Sequence, residues 1–163
     1  MILSLPFSSL LLQVYYANEE IGWRGFALPR MLGRWNALFS SILLGLLWGA
    51  WHMPYLWGIK GASLPWPFTT FLLFIVSISI LMTWVFNHTR GSTLMAMLFH
   101  VWVNYMPGYV IGFLSIKDTS GFNALMPWLY AAAALLIVAV YGYRSLNRHA
   151  ERPELAGLTT SKA

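Results

Sequence analysis

Four long stretches of this chain carry almost no charge. Residues 37–57 hold one ionisable side chain, His52; residues 66–86 hold none; residues 92–114 hold only His100; residues 122–143 hold none. A helix crosses a bilayer with about 20 predominantly apolar residues. Inside hydrocarbon every backbone N–H and C=O must be satisfied within its own segment, so runs of this length become helices. The expected fold class is therefore all-α, a polytopic transmembrane helical bundle with four spans and a short N-terminal apolar segment. That segment, residues 2–18, contains Pro6 and Gln13; it is read as a fifth helix or part of a broken one. A cleaved signal peptide is not expected, because the start has no basic residues and runs straight into charged sequence.

Composition fits a lipid solvent. Of the 163 residues, 58% are hydrophobic and 9% charged, against about 25% charged in a soluble domain. With no cysteine in the chain, disulfide frameworks and thiolate-held metals are excluded. The net charge of +5 does not point to nucleic acid, since the basic residues are scattered through loops and tail. They sort by side instead. Arg24, Arg30, Arg34, Arg90, Arg144, Arg148, Arg152 and Lys162 fall on one side, Lys60 and Lys117 on the other. Under the positive-inside rule the richer side, with the C-terminus, is cytoplasmic. The absence of an obvious targeting signal fits a bacterial inner membrane. Residues 1–143 are read as one transmembrane domain and 144–163 as a polar cytoplasmic tail.

Ionisable groups inside a membrane are costly, and they usually face an internal cavity or another polar group. Here they are few and lie in three short motifs. In Asn18-Glu19-Glu20-Ile21-Gly22-Trp23-Arg24, a helical backbone sets Glu20 and Arg24 at i, i+4, close enough to pair, and turns Glu19 about 100° away. In Trp48-Gly49-Ala50-Trp51-His52-Met53-Pro54, Trp48 and His52 share a face, and Pro54 weakens the helix beside them. In His100-Val101-Trp102-Val103-Asn104, the same spacing sets an imidazole beside a carboxamide, with Pro107 and Gly108 following. Each motif alone has a structural explanation: an interfacial ion pair, a core histidine, an interhelical hydrogen-bonding pair. Together they are most of the intramembrane polar chemistry the chain has. His88 and Arg90 read as a tight cytoplasmic turn before a helix start at Ser92 and Thr93, and His149 as part of the tail.

A carboxylate and a histidine deprotonate water for attack on a carbonyl, while a second histidine and an asparagine donate to the oxyanion that develops. That set suits hydrolysis of an amide. Glu19, His52 and His100 equally suit a catalytic Zn²⁺ with His₂Glu ligation, although no His-Glu-x-x-His motif is present. A non-catalytic scaffold that uses the polar groups for packing and a small transporter that uses them to line a path remain open readings of the residues.

Taken in order, Glu19-Glu20-x-x-x-Arg24, Trp48-x-x-x-His52 and His100-x-x-x-Asn104 resemble the CAAX protease and bacteriocin-processing family of membrane proteases, also called the Abi family. The resemblance covers about residues 15–105 and includes the contexts WRGFALPR, WHMP and NHTRGSTLMAMLFH. It implies an intramembrane endopeptidase acting on a membrane-associated, prenylated CAAX-type substrate, or a bacteriocin-immunity protein of the same fold. It also implies roles: Glu19 with His52 activates water, His100 with Asn104 stabilises the oxyanion, and Glu20, Arg24 and Trp48 support the site. No metal is favoured on this reading. Trp48 departs from the usual Phe. Relatives carry further helices before the paired glutamates, so either a reduced member or an incomplete start is expected. One geometric demand follows. With the spans drawn above, His52 lies about 22 Å along its helix at 1.5 Å per residue, whereas Glu19 sits at the cytoplasmic end of the first segment. Glu19 and His52 meet only if the 20–36 connection dips into the bilayer or if the helix of His52 starts deeper than drawn. A dip is expected, with the site inside the membrane and open to the cytoplasm, and non-helical backbone is tolerated there when it lines a cavity.

Overall fold

The computed structural model describes residues 17–54 and 66–147. Most of the first apolar segment and residues 148–163 of the tail lie outside the described residues. Six α-helical elements and one π-helical turn are present in this part: α1 (Glu19–Gly22), a π segment (Trp23–Ala27), α2 (Leu28–Leu32), α3 (Ala37–Pro54), α4 (Phe68–His88), α5 (Thr93–Phe113) and α6 (Ser120–Tyr141). Helices α3 to α6 are each long and apolar enough to cross a membrane, and no strand occurs among the described residues. The chain is an integral membrane protein with an all-α bundle.

Helix α4 is central and packs against α3, α5 and α6. Lipid and helix surface are equally apolar, so close approach of backbones and small polar bonds must hold such helices together. Both are visible. A Cβ on Gly45 of α3 would stand 2.9 Å from the Val76 Cα and 3.0 Å from the Ser79 Cβ, so only glycine permits this α3–α4 distance. Ser79 Oγ then donates across the interface to the Ser41 carbonyl at 2.8 Å. Ser77 and Thr83 of α4 are buried and satisfy their hydroxyls on the carbonyls four residues back, at 2.6 and 2.9 Å. The turn from α4 to α5 is tight, as the sequence suggests. Gly91, at φ +78°, returns its N–H to the Phe86 carbonyl at 2.8 Å, a left-handed residue closing a helix C-terminus. Ser92 caps α5 by accepting from the Met95 N–H.

Two expectations change. The connection after Glu20 is helix through Leu32, not irregular chain. The Leu28 N–H reaches back to the Trp23 carbonyl, a five-residue step that makes the turn wide. This wide turn stands immediately ahead of Pro29, which has no N–H for the carbonyl four residues behind it. Leu28 is fully buried against Leu44 and Phe86, while Glu20 packs on His100, seven residues inside α5. The helical stretch thus spans from mid-bundle to the start of α3.

The second change concerns residues 144–147, read as the beginning of the tail. They are docked. The carbonyls of Arg144 and Tyr143 accept from the N–H groups of Ala37 and Leu38 at 2.8 and 3.0 Å, and Asn36 Oδ1 accepts from Phe39 at 2.9 Å. Together they satisfy donors that the first turn of α3 leaves open. Asn87 donates to the Ser145 carbonyl, Asn147 donates to the Asn87 carbonyl, and Leu146 is fully buried.

Candidate active site

Glu20 is the centre of the polar cluster. It is fully buried, as is Arg24 one turn later. Arg24 Nη1 donates to both Glu20 oxygens, at 3.0 and 2.8 Å. The i, i+4 pairing read from the sequence is therefore present, with one partner in the π segment. A buried charge needs a partner, and the guanidinium is the countercharge beside the Glu20 carboxylate. Arg24 also lies over the Trp48 ring, its Cζ 4.7 Å from the centroid, a cation–π contact that gains strength when desolvated. Its Nε and Nη2 are buried and have no hydrogen-bond partner among the described residues.

The fold adds a connection that helical spacing alone did not supply. His100 Nδ1 stands 2.8 Å from Glu20 Oε1, although 80 residues separate them in sequence. His100 Nε2 faces Glu19 Oε1 at 3.6 Å. Glu19 and Glu20 thus converge on the same imidazole, and the second oxygen of Glu19 accepts from Trp48 Nε1–H at 3.3 Å. Trp48 is the common wall of the site. Its ring centroid is 5.2 Å from that of His100 and 5.6 Å from that of His52, both edge-on.

His52 itself is half-buried on α3. Its Nδ1 is 2.8 Å from the Trp48 carbonyl, and its ring meets Phe71 edge-on. It makes no hydrogen bond to Glu19 among the described residues: the indole of Trp48 is Glu19's partner from α3. Asn104 lies on α5 one turn beyond His100, is exposed, and has no hydrogen bond to a described residue. The structure thus joins Glu19, Glu20, Arg24, Trp48 and His100 in one contiguous network. His52 borders it through Trp48, and Asn104 remains unengaged beside it.

A metal would find a different set of donors from the one read in the sequence. Glu19, Glu20 and His100 each offer a ligand atom, all within 4.8 Å of one another; His52 is not in that group. Glu20 and His100 Nδ1 already bond to each other, and Arg24 adds a positive charge at the same carboxylate. The nearness of Glu20 to His100 had no signal in the sequence. That of Trp48 had a weak one, its i, i+4 relation to His52.

Residues 2–106 match the family model described as type II CAAX prenyl endopeptidase Rce1-like. The chain is 34% identical over 125 residues to "CAAX prenyl protease 2" of Methanococcus maripaludis; the match covers 72% of this chain and 45% of that protein. The chain thus spans less than half the length of this curated relative. No solved structure matches it.

Proposed function

Because the chain belongs to the type II CAAX prenyl endopeptidase Rce1-like family, we propose that it is an intramembrane endopeptidase cleaving a peptide bond in a membrane-associated, prenylated CAAX-type protein or peptide. The observation that carries this reading is the position of Glu19. Its carboxylate is half-buried, fixed by the Trp48 indole at 3.3 Å and set 3.6 Å from an imidazole nitrogen. A carboxylate so placed is a general base for a water that attacks the scissile carbonyl. His52 binds the Trp48 carbonyl through Nδ1, which leaves its Nε2 as the atom available to share the water's proton. Asn104, exposed one turn from His100, carries a neutral N–H₂ that fits the oxyanion formed at the carbonyl.

The same reading runs without a metal. A dication at Glu19, Glu20 and His100 would compete with the Arg24 guanidinium for the Glu20 carboxylate, 2.8 Å away, and would have to break the Glu20–His100 bond to reach Nδ1. The described donors favour a hydrogen-bonded network. On orientation, the excess of arginine on the side of residues 24–34, 90 and 144–152 supports a cytoplasmic C-terminus and a site reached from the cytoplasm.

The test is cleavage of a prenylated peptide and of its unprenylated counterpart by detergent-purified protein, with and without a chelator. Cleavage that prefers the prenylated peptide, survives chelator and is lost in Glu19→Ala and His52→Ala variants of unchanged thermal stability is the expected result. Variants that unfold instead would make the polar network structural, as in a scaffold, and inhibition by chelator would overturn the metal-free assignment.

A further inference from the structure

Resting on the endopeptidase reading, we infer that an apolar groove between α5 and α6 seats the prenyl chain of the substrate, and that Ala133 at its far end sets how long a chain is accepted. The groove follows from how the helices pack. Both α5 and α6 lie on α4, but they do not pack closely on each other. The space between them is a cavity of about 460 Å³, inside the range of about 300–1,000 Å³ typical of small-molecule sites. Phe99, Met106 and Val110 of α5 form one wall, Met126 and Ala133 of α6 the other, and Leu81 and Trp84 of α4 the floor. No lining residue is charged.

Its shape suits one chain lying along the helices. From Phe122 to Ala133 the groove follows α6 for about 16 Å at 1.5 Å per residue. Trp102, Met106 and Leu129 line it and are also exposed, so it opens sideways to lipid and a chain enters without threading.

Position singles out the substrate's own chain among the lipids of the bilayer. Asn104, proposed above to meet the oxyanion, and Pro107, which lines the groove, both lie on α5. At i, i+3 they are surface neighbours, with about 5–6 Å between Cβ atoms. A peptide whose scissile carbonyl sits at Asn104 therefore has the groove within reach of its modified side chain. From Pro107 the longer arm runs toward Phe99. Helices α4 and α6 are antiparallel to α5, which sets Leu81, Trp84 and Ala133 level with Phe99 at the end of that arm.

The lining selects by shape. Lipid is as apolar as the groove, so burial alone gains nothing. An isoprenoid, stiffened by its double bonds, loses less freedom than a saturated acyl chain when held in one conformation. Trp84, Phe99 and Tyr130, one from each helix, offer flat faces to its planar alkene units. A chain held there orients the peptide at the site, and orientation lowers the barrier of the chemical step.

Two experiments decide this. In the first, a farnesylated peptide with a diazirine on its terminal isoprene unit is irradiated with the full chain in detergent micelles, and the adducts are mapped by mass spectrometry. Adducts on residues 126–133 and 81–84 are expected, displaced by excess unlabelled farnesylated peptide and not by phosphatidylglycerol. Adducts on α3 or on residues 19–32 overturn the inference. So does equal displacement by the phospholipid, which makes the groove a seat for bilayer lipid.

The second is Ala133→Phe, which fills the far end of the groove. Misfit of one methylene in an apolar pocket shifts kcat/KM by about 10–200-fold, so kcat/KM for a geranylgeranylated peptide should fall by about tenfold or more, and for a geranylated peptide by about twofold or less. Equal losses on both peptides overturn the role of Ala133, and a variant that does not fold leaves the decision to the adducts. An unmodified protein that labels in the groove and cleaves nothing removes the endopeptidase reading and keeps the lipid site; cleavage with adducts elsewhere does the reverse.

Discussion

Replacing Arg24 by methionine keeps most of the side chain's volume and removes its charge. The structure sets the size of the effect. Arg24 and Glu20 are both fully buried and in contact at 2.8 Å, and at about 4 Å between charge centres their gross attraction is about 4 kcal/mol for an effective dielectric of 20. The cation–π contact with Trp48 adds about 1–2 kcal/mol in a desolvated setting. Against these stands the desolvation cost of Arg24, which methionine does not carry. Measured removals of one partner from a buried pair cost about 3–5 kcal/mol, mostly because the other charge is left without its partner. Glu20 keeps its bond to His100, which argues for the lower end, about 3 kcal/mol. The assay is SDS titration of the detergent-purified protein with helicity as the signal. The companion is Glu20→Gln with Arg24→Met, which removes both charges at similar volume. Replacing a whole buried pair is often neutral or better, so the double variant should recover most of the lost stability while remaining impaired in cleavage. A single variant within about 1 kcal/mol of the unmodified protein, or a double variant that shows no recovery, would refute the claim that the 19–32 helix carries a dry ion pair into the bundle.

Two further outcomes follow from particular contacts. Gly45→Ala puts a Cβ 2.9 Å from the Val76 backbone, which cannot swing aside as a side-chain tip could, so α3 and α4 must separate; a loss of about 1–3 kcal/mol in the same titration is expected, and an unchanged midpoint would show that the interface is looser than drawn. Trp48→Phe keeps the aromatic wall and deletes the N–H on Glu19; since a single hydrogen bond is worth about 0.5–1.5 kcal/mol net, cleavage should fall by about tenfold or less, and complete loss would mean that the indole N–H has a direct part in the reaction.

Reading the chain as sequence located the long helices to within a few residues, because hydropathy is a property of consecutive side chains. Span 66–86 is helix Phe68–His88 and span 122–143 is helix Ser120–Tyr141. The Glu20–Arg24 pair was legible for a similar reason, since helical spacing brings residues one turn apart together. Less was visible around Glu19. The motif resemblance coupled it to His52, whereas the fold sets it against Trp48 and His100. The stretch after Glu20 looked like connection because it is short and contains glycine, arginine and proline. Tertiary burial of Leu28 and Arg24 and the wide turn ahead of Pro29 keep it helical. Residues 144–147 read as tail because they are polar, and they are docked because the first turn of α3 has N–H groups to satisfy.

By itself, then, the sequence determined the solvent of this protein, its helices, and the short inventory of acids, imidazoles and amide from which any chemistry must be drawn. Those follow from local composition and helical pitch. Only the tertiary structure decided that Glu20 bonds to His100 Nδ1 across 80 residues, while Glu19 faces the other ring nitrogen at 3.6 Å. Adjacent glutamates have the same chemistry and differ by about 100° in direction around the helix; which of them meets a distant partner is set by how that helix is rotated and seated against α3 and α5, and no local pattern carries that rotation.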